Sequence, residues 1–372
     1  MNILFIEQHP RFIGGSERIS LSLCHEFWRR GHRTYLLYER DGNMVPAYAA
    51  ITAGSQRAPV RVLGLRRPFE SVRSLFLLGR LLRRHKIDVV FTSQINNVLL
   101  LALARRLYGV PSVIHLGLQA LQSTRTFRWG IRGIAAAVTP SELTRQSWIE
   151  GGWPASTLHV VPNGVDLERF HPSQDRSALR RRIGLPDDRP VVAYVGRMVE
   201  DKGIFTLMRA AGALRRGGVS CFLVMLGFAP DGGREALRVL AANEGLDETD
   251  FSLREPTDSP ESFYAAADVA AVPSECPEAF GLAAIEAMAC GTIPVVSDVG
   301  ILPDIVGRDH PDCVFPHGDA ALLAERLRAI LADPSARGPL SALMLSRVRE
   351  NYSLSRCSDA YLQIMERCRS LR

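Results

Sequence analysis

Two segments place cations and carboxylates where a phosphorylated ligand could be held. Val195–Gly203 reads V-G-R-M-V-E-D-K-G. Arg197 and Lys202 flank a turn there, and a helix is predicted to begin at Gly203. Two fixed cations beside a helix N-terminus suit a diphosphate, above all one that gains charge as it leaves. Lys202 is one of only two lysines among 45 basic residues, so a compact ammonium stands where the chain otherwise uses arginine. The plainer alternative is a solvated loop whose cations pair with Glu200 and Asp201. Pro277–Gly291 reads P-E-A-F-G-L-A-A-I-E-A-M-A-C-G. Glu278 precedes a helix predicted over Phe280–Cys290, and Glu286 lies inside it. That helix is apolar on nearly every side, which predicts burial. A buried carboxylate must be paired or hydrogen-bonded. Vicinal ribose hydroxyls would satisfy Glu286; so would an arginine, or a place at an edge. Gly281 and its neighbours Phe280 and Leu282 open the helix, where backbone N–H groups can meet sugar hydroxyls or phosphate. Gly291 falls just past its end, as a left-handed stop.

A third segment, G-G-S-E at Gly14–Glu17, lies between a strand and a helix. Two residues without Cβ let the backbone approach an anion at the helix start. An ordinary strand-to-helix turn asks for the same residues.

These segments need a scaffold, and the rest of the chain supplies one. Short Val/Ile/Leu runs alternate with amphipathic stretches, the pattern of parallel sheets in α/β folds. Strands are predicted at Asn2–Glu7, Thr34–Glu39, Val60–Leu63, Asp88–Thr92, Ser112–His115, Ile134–Thr139 and Leu158–Val161. A second series starts at Val191–Val195 and runs to Val314–Phe315. From Ala320 onward only helices are expected. Pro162–Pro190 is rich in turn residues and reads as a linker. The boundary is placed at 170: a domain over 1–170, a second over 171–352, and a helix over 353–372. In open α/β sheets ligands bind beyond the carboxyl ends of the strands, and each motif above follows a strand.

With 372 residues, 47% of them hydrophobic and 23% charged, the chain suits two globular domains. No run of 18 apolar residues suggests a transmembrane helix, and Met1–Pro10 does not resemble a signal peptide. Seven cysteines without a C-x-x-C pair argue against a zinc site or a disulfide framework and for a reducing cytoplasm. Charge is uneven: residues 1–170 carry 22 basic and 11 acidic side chains, while 171–372 carry 23 and 28.

Together the motifs resemble the GT-B nucleotide-sugar glycosyltransferases, in particular the retaining group typified by bacterial mannosyl- and glucosyltransferases. The likeness covers almost the whole chain. Its most specific piece is Glu278-x7-Glu286, supported by T-P-S-E at Thr139–Glu142, V-V-P-N-G-V-D-L-E-R-F at Val160–Phe170 and A-A-A-D-V-A-A-V-P-S at Ala265–Ser274. The resemblance implies an α/β GT-B fold, two Rossmann-like domains facing across a cleft. It implies an acceptor domain first, a nucleotide-sugar domain second, and a final helix returning to the first. It implies that Arg197 and Lys202 hold the donor diphosphate, that Glu278 contacts the donor sugar, and that His115, ending P-S-V-I-H, lies close to that sugar. Gly14, Gly15, Gly196, Phe280, Gly281, Leu282 and Glu286 complete the implied donor site. The reaction would retain anomeric configuration, with Glu278 as a positioner. No D-x-D motif occurs, which agrees with catalysis without a metal or other cofactor. Departures fall at Gly300-Ile301, where a Gly-Gly pair is usual, at Arg254-Glu255-Pro256, where a glycine is usual near the nucleobase, and at Leu116, where Asp often follows the histidine.

The acceptor is expected on the basic N-terminal half. Ser93, Gln94, Asn96 and Asn97 follow a strand end and offer hydrogen bonds to acceptor hydroxyls, or cap a helix. Arg66, Arg67, Arg73, Arg80, Arg83, Arg84, His85 and Lys86 cluster with apolar residues around one helix. That suits an anionic membrane surface on the cytoplasmic side, a solvated face, or an anionic soluble acceptor. No recognition motif supports nucleic acid. A sugar-nucleotide epimerase or a non-catalytic sugar-nucleotide-binding module are the rival readings.

Overall fold

The computed structural model describes residues 1–10, 15–60, 68–120 and 125–370. Gly14, Arg66 and Arg67 lie outside them. The chain forms two compact units, Met1–Gly164 with Leu354–Arg372, and Val165–Ser353.

The first unit alternates β1 (Asn2–Glu7), α1 (Gly15–Arg29), β2 (Arg33–Tyr38), α2 (Val45–Ala50), β3 (Ser55–Arg57), α3 (Pro68–Arg84) and β4 (Val89–Thr92). It continues with α4 (Val98–Tyr108), β5 (Ser112–His115), α5 (Arg125–Arg132), β6 (Ala136–Thr139), α6 (Glu142–Glu150) and β7 (Leu158–Val160). Among the described residues its seven strands are parallel, in the order β3-β2-β1-β4-β5-β6-β7. Ile3, Leu4, Phe5 and Ile6 on β1 are wholly buried. Helices cover both faces of such a sheet, so its central strands are apolar on both sides. Each side chain of this kind, once buried, contributes roughly 1.5–3 kcal/mol. A strand forms at Ser55–Arg57; of the strand predicted at Val60–Leu63 only Val60 lies within the described residues. Val60 is buried but outside any strand.

The second unit holds α7 (Arg176–Ile183), β8 (Val191–Val195), α8 (Ile204–Arg216), β9 (Phe222–Leu226), α9 (Gly233–Asn243), β10 (Phe251–Arg254) and α10 (Pro260–Ala266). Then come β11 (Val269–Val272), α11 (Leu282–Ala289), β12 (Ile293–Ser297), α12 (Leu302–Val306), β13 (Val314–Phe315), α13 (Ala320–Ala332) and α14 (Pro334–Asn351). Its six parallel strands run β10-β9-β8-β11-β12-β13, the order of a Rossmann sheet. The segment read as a linker contains α7. Asp175 caps it by accepting from Ala178 N at 2.8 Å, and Gly184 stops it at φ 68°. Buried Arg180 on this helix binds Asp268 at 2.6 Å and the Ala266 carbonyl at 2.8 Å.

The last helix, α15 (Leu354–Ser370), belongs to the first unit. It buries Leu354, Cys357, Tyr361, Ile364, Met365 and Cys368 at helical spacing against α1 and β4. All seven cysteines are free thiols.

Candidate active site

Strand order reverses between β8 and β11, and that is where an open α/β sheet binds ligands. The residues after these two strands are the ones singled out by sequence. Beyond β8, Gly196 N bonds the Leu226 carbonyl at 3.0 Å. A Cβ at Gly227 would stand 1.8 Å from the Gly196 oxygen, so the two glycine turns lie against each other. Arg197 follows, half-exposed, its carbonyl accepting from Tyr194 Oη at 2.5 Å. A single 3-10 turn over Glu200–Lys202 then leads into Gly203, at φ 68°, ahead of α8.

Lys202 does not fold back on its own loop. Its Nζ reaches Glu278 Oε1 at 2.5 Å, across 76 residues, and Ser274 Oγ donates to the same oxygen at 2.6 Å. Ser274 follows β11, and its carbonyl accepts from buried Ser297 Oγ at 2.6 Å. Arg197 does face Asp201, but at 4.0 Å and half in solvent, so the solvated-loop alternative describes Arg197 and not Lys202. The loops are stitched by the backbone as well: Glu275 N donates to the Asp201 carbonyl at 2.9 Å.

Glu278 is held from a second side. Gly300, at φ 60°, passes so close that a Cβ would stand 2.3 Å from the Glu278 carbonyl oxygen. Ile301 N donates to that oxygen at 3.3 Å. Here Gly300-Ile301 departs from the expected pair, and its single glycine meets the steric need. Helix α11 starts at Leu282, two residues later than predicted, with left-handed Gly281 and no capping side chain before it. The Phe280 ring is buried against Tyr352 in a T-shaped contact at 6.0 Å. Glu286, on α11, is 4% exposed. Gly291 ends the helix at φ 72°, as expected. Glu255, just after β10, pairs with Arg234 of α9, which also donates to the Gly227 and Arg254 carbonyls at 3.1 and 3.3 Å. The Arg234 guanidinium holds the Glu255 carboxyl below its ordinary range.

In the first unit the reversal lies between β1 and β4. Gly15 is exposed at the start of α1. After β4, Ser93 and Gln94 are half-buried, Asn96 is exposed and Asn97 is buried. Gln94 accepts from Gln8 N at 2.6 Å and donates to Glu7 Oε2 at 3.0 Å. Buried Asn97 accepts from Gln8 Nε2 at 3.0 Å and donates to Thr92 Oγ1 at 3.1 Å. Neither caps a helix by its side chain. Each amide thus has one bond on its oxygen and one on its nitrogen, which ties both side chains into the scaffold after β4 and leaves each a further lone pair and N–H.

At the centre of that scaffold is Glu7, which composition and spacing did not single out. Ser20 Oγ donates to its Oε1 at 2.6 Å, and Tyr48 Oη donates to Ser20 at 2.9 Å. Burial lifts the Glu7 carboxyl from an ordinary 4.5 to about 7, with the Ser20 hydrogen bond opposing and nearby Glu17 adding. The folded state then holds this proton more tightly than the unfolded chain. The stability it contributes is fully present below pH 4.5 and lost as pH rises through about 7. Glu7→Gln should thus gain on the wild type by roughly 1–3 kcal/mol between pH 5 and pH 8. Urea unfolding at the two pH values checks this; parallel curves for both proteins would refute it.

His115 ends β5, fully buried, with Nδ1 2.8 Å from Tyr361 Oη on α15. Burial pushes its imidazole down to about 4, so the ring is neutral. Among the described residues no group of His, Cys, Asp and Glu could hold a metal ion.

The chain belongs to a family defined by this fold and these motifs. The Glycosyltransferase Family 4 model matches residues 13–169, and the model of glycosyl transferases group 1 matches 175–342. Among curated relatives, alpha-maltose-1-phosphate synthase of Mycolicibacterium smegmatis is 31% identical over 293 residues, 70% of this chain and 74% of that protein. A D-inositol 3-phosphate glycosyltransferase of Saccharomonospora viridis is 37% identical over 215 residues, 56% of this chain. The match spans about half the length, 49%, of that relative. In fold, a glycosyltransferase of Rickettsia africae superposes with TM-score 0.86 over 99% of this chain and 98% of its own, at 17% identity. Anabaena HepE in complex with UDP-glucose gives 0.80 over the whole of both chains, at 20% identity.

Proposed function

We propose that this chain is a retaining, metal-independent glycosyltransferase, moving a hexosyl group from a UDP- or GDP-sugar to a hydroxyl acceptor. The observation that carries this reading is the Lys202–Glu278–Ser274 cluster where strand order reverses in the second unit, beside the uncapped start of α11. In it, Lys202 and Arg197 stabilise the departing diphosphate, Gly196 and the Phe280–Leu282 backbone line it, Glu286 takes the ribose hydroxyls, and Glu278 orients the sugar. Protein cations supply the charge that a metal would otherwise bring. The names of two relatives include a phosphorylated polyol or sugar, and the first half of this chain carries a net +11. Both support an anionic acceptor in the first unit, with Ser93 and Asn96 as its hydrogen-bonding groups. A panel of UDP- and GDP-sugars, followed by nucleoside diphosphate release and by NMR of the product anomer, tests this. Release with an inverted product overturns retention, and loss of activity in EDTA overturns metal independence. Nucleotide binding with no release under any acceptor would make the chain a binding module instead.

The same reading puts the enzyme at the inner face of a membrane. No described helix is long and apolar enough to cross one. Helix α3, however, turns Phe69, Val72 and Phe76 outward, 89, 67 and 64% exposed, on one face with exposed Arg73, Arg80 and Arg84. Apolar side chains ringed by arginine suit an anionic lipid surface. At about 1 kcal/mol per arginine, R73E/R80E/R84E should weaken co-sedimentation with anionic vesicles by about 100-fold or more. No binding of the unaltered protein at low salt would remove the membrane from the reading.

A further inference from the structure

We infer that Tyr361, on the C-terminal helix α15, is a positioning residue that decides which nitrogen of His115 carries the hydrogen, keeping Nε2 as a donor for a ligand oxygen at the end of β5. The geometry is a hydrogen-bond count in a sealed place. Tyr361 is 0% exposed and His115 1%. Their one bond, Oη to Nδ1 at 2.8 Å, can run in either direction. If Nδ1–H donated to the phenol, the phenolic hydrogen would be stranded and Nε2 would be left as a bare acceptor. If the phenol donates to Nδ1, the only polar group left over is Nε2–H. Buried donors without partners are costly, so the second arrangement prevails. Both groups stay neutral, because burial pushes the imidazole down to about 4 and the phenol well above its ordinary range.

The ring is held for this task. Tyr361 packs edge-on against Phe91 of β4 at 5.8 Å. Its helix is tied to the unit by Arg30 of the loop after α1, which donates to the Ser355 carbonyl at 3.0 Å and pairs with Asp359. Nε2 has no partner among the described residues. A Cβ at Gly117 would stand 3.0 Å from Nε2 and 2.3 Å from Ser16 Oγ, so any side chain at 117 would close the approach to it. A buried donor with its approach kept by a glycine is a site awaiting an acceptor atom, and a sugar hydroxyl or ring oxygen has that chemistry.

The kinetic part of the inference rests on the transferase reading; the tautomer does not. The full chain, labelled with 15N-histidine and free of donor, is examined by NMR, the His115 signals being assigned by their loss in His115→Asn. The Nε2–H tautomer is expected, changing to a mixture of both tautomers in Tyr361→Phe. Turnover in that variant should fall about tenfold with donor KM within about twofold. An Nδ1–H tautomer in the wild type, or an unchanged tautomer in Tyr361→Phe, overturns the inference, as does unaltered turnover once the tautomer has shifted. The wild-type spectrum decides the matter should the variant not fold. A locked Nε2–H tautomer in a chain that transfers no sugar would instead overturn the transferase reading and leave the role of Tyr361 standing.

Discussion

Lys202→Ala is expected to lower turnover by on the order of 100-fold or more at saturating donor, with little loss of stability. On the proposed function the ammonium meets charge developing on a leaving diphosphate, and its 2.5 Å contact joins it to Glu278, the carboxylate assigned there to the sugar. Removing it also unties Glu278, leaving only Ser274 on the shared oxygen. The pair is about one-fifth exposed on each side, and a partly solvated ion pair contributes about 1 kcal/mol or less to folding. Chemistry and stability therefore separate. Steady-state nucleotide release together with urea unfolding reads both. Arg197→Ala should lose turnover to the same order, whereas Lys202→Arg should recover little, because a planar fork does not replace a point charge in this loop. Near-normal turnover in Lys202→Ala would end its proposed role.

Gly203→Ala is the second substitution with a large expected effect, and it acts on the backbone. At φ 68° a Cβ would stand 1.7 Å from the Pro273 carbonyl oxygen and 2.6 Å from its carbon. Neither is the end of a flexible side chain. Pro273 precedes Ser274 and Gly203 follows Lys202, so the added methyl drives apart the two loops that hold the candidate site. A loss on the order of 3 kcal/mol or more in urea unfolding is expected. Gly218→Ala provides the control: φ is 78° there, with no neighbouring atom within 4 Å, so left-handed strain alone should cost roughly 1–2 kcal/mol. Equal losses in the two variants would show that close approach to Pro273 is not what requires glycine at 203.

Much of this scaffold was legible from local pattern. The strands leading into both loops of the candidate site, Val191–Val195 and Val269–Val272, coincide with their apolar runs, because central parallel strands are buried on both faces. Where burial was asymmetric, pattern failed. Ser55–Arg57 is an exposed edge strand with no apolar residue, so no hydrophobic run marks it. Helix α7 hid behind its arginines, since only Leu179 and Ile183 mark an apolar face, although Asp175 and Gly184 were fair end signals. The site divides in the same way. Arg197, Lys202 and Glu278 stood out by type and spacing. Their partners did not, because Lys202 to Glu278 and His115 to Tyr361 are contacts across 76 and 246 residues, invisible to any local rule. The bonds of Gln94 to Glu7 and of Asn97 to Gln8 were hidden for a related reason: an amide at a strand end looks the same in sequence whatever it faces.

The two ends of the second unit lie side by side, with Val165 paired to Ser353 and its N–H bonded to the Tyr352 carbonyl at 2.8 Å. That unit is thus an insertion within the first, whose core stays open until α15 arrives with Cys357, Tyr361 and Met365. On a ribosome this reverses the usual order. The segment translated second can close first, while the segment translated first must wait some 200 residues for its last helix. Chains stalled after Ser353 should carry a finished second unit and an unfinished, protease-sensitive first one, and they are the form of this protein that a chaperone would hold.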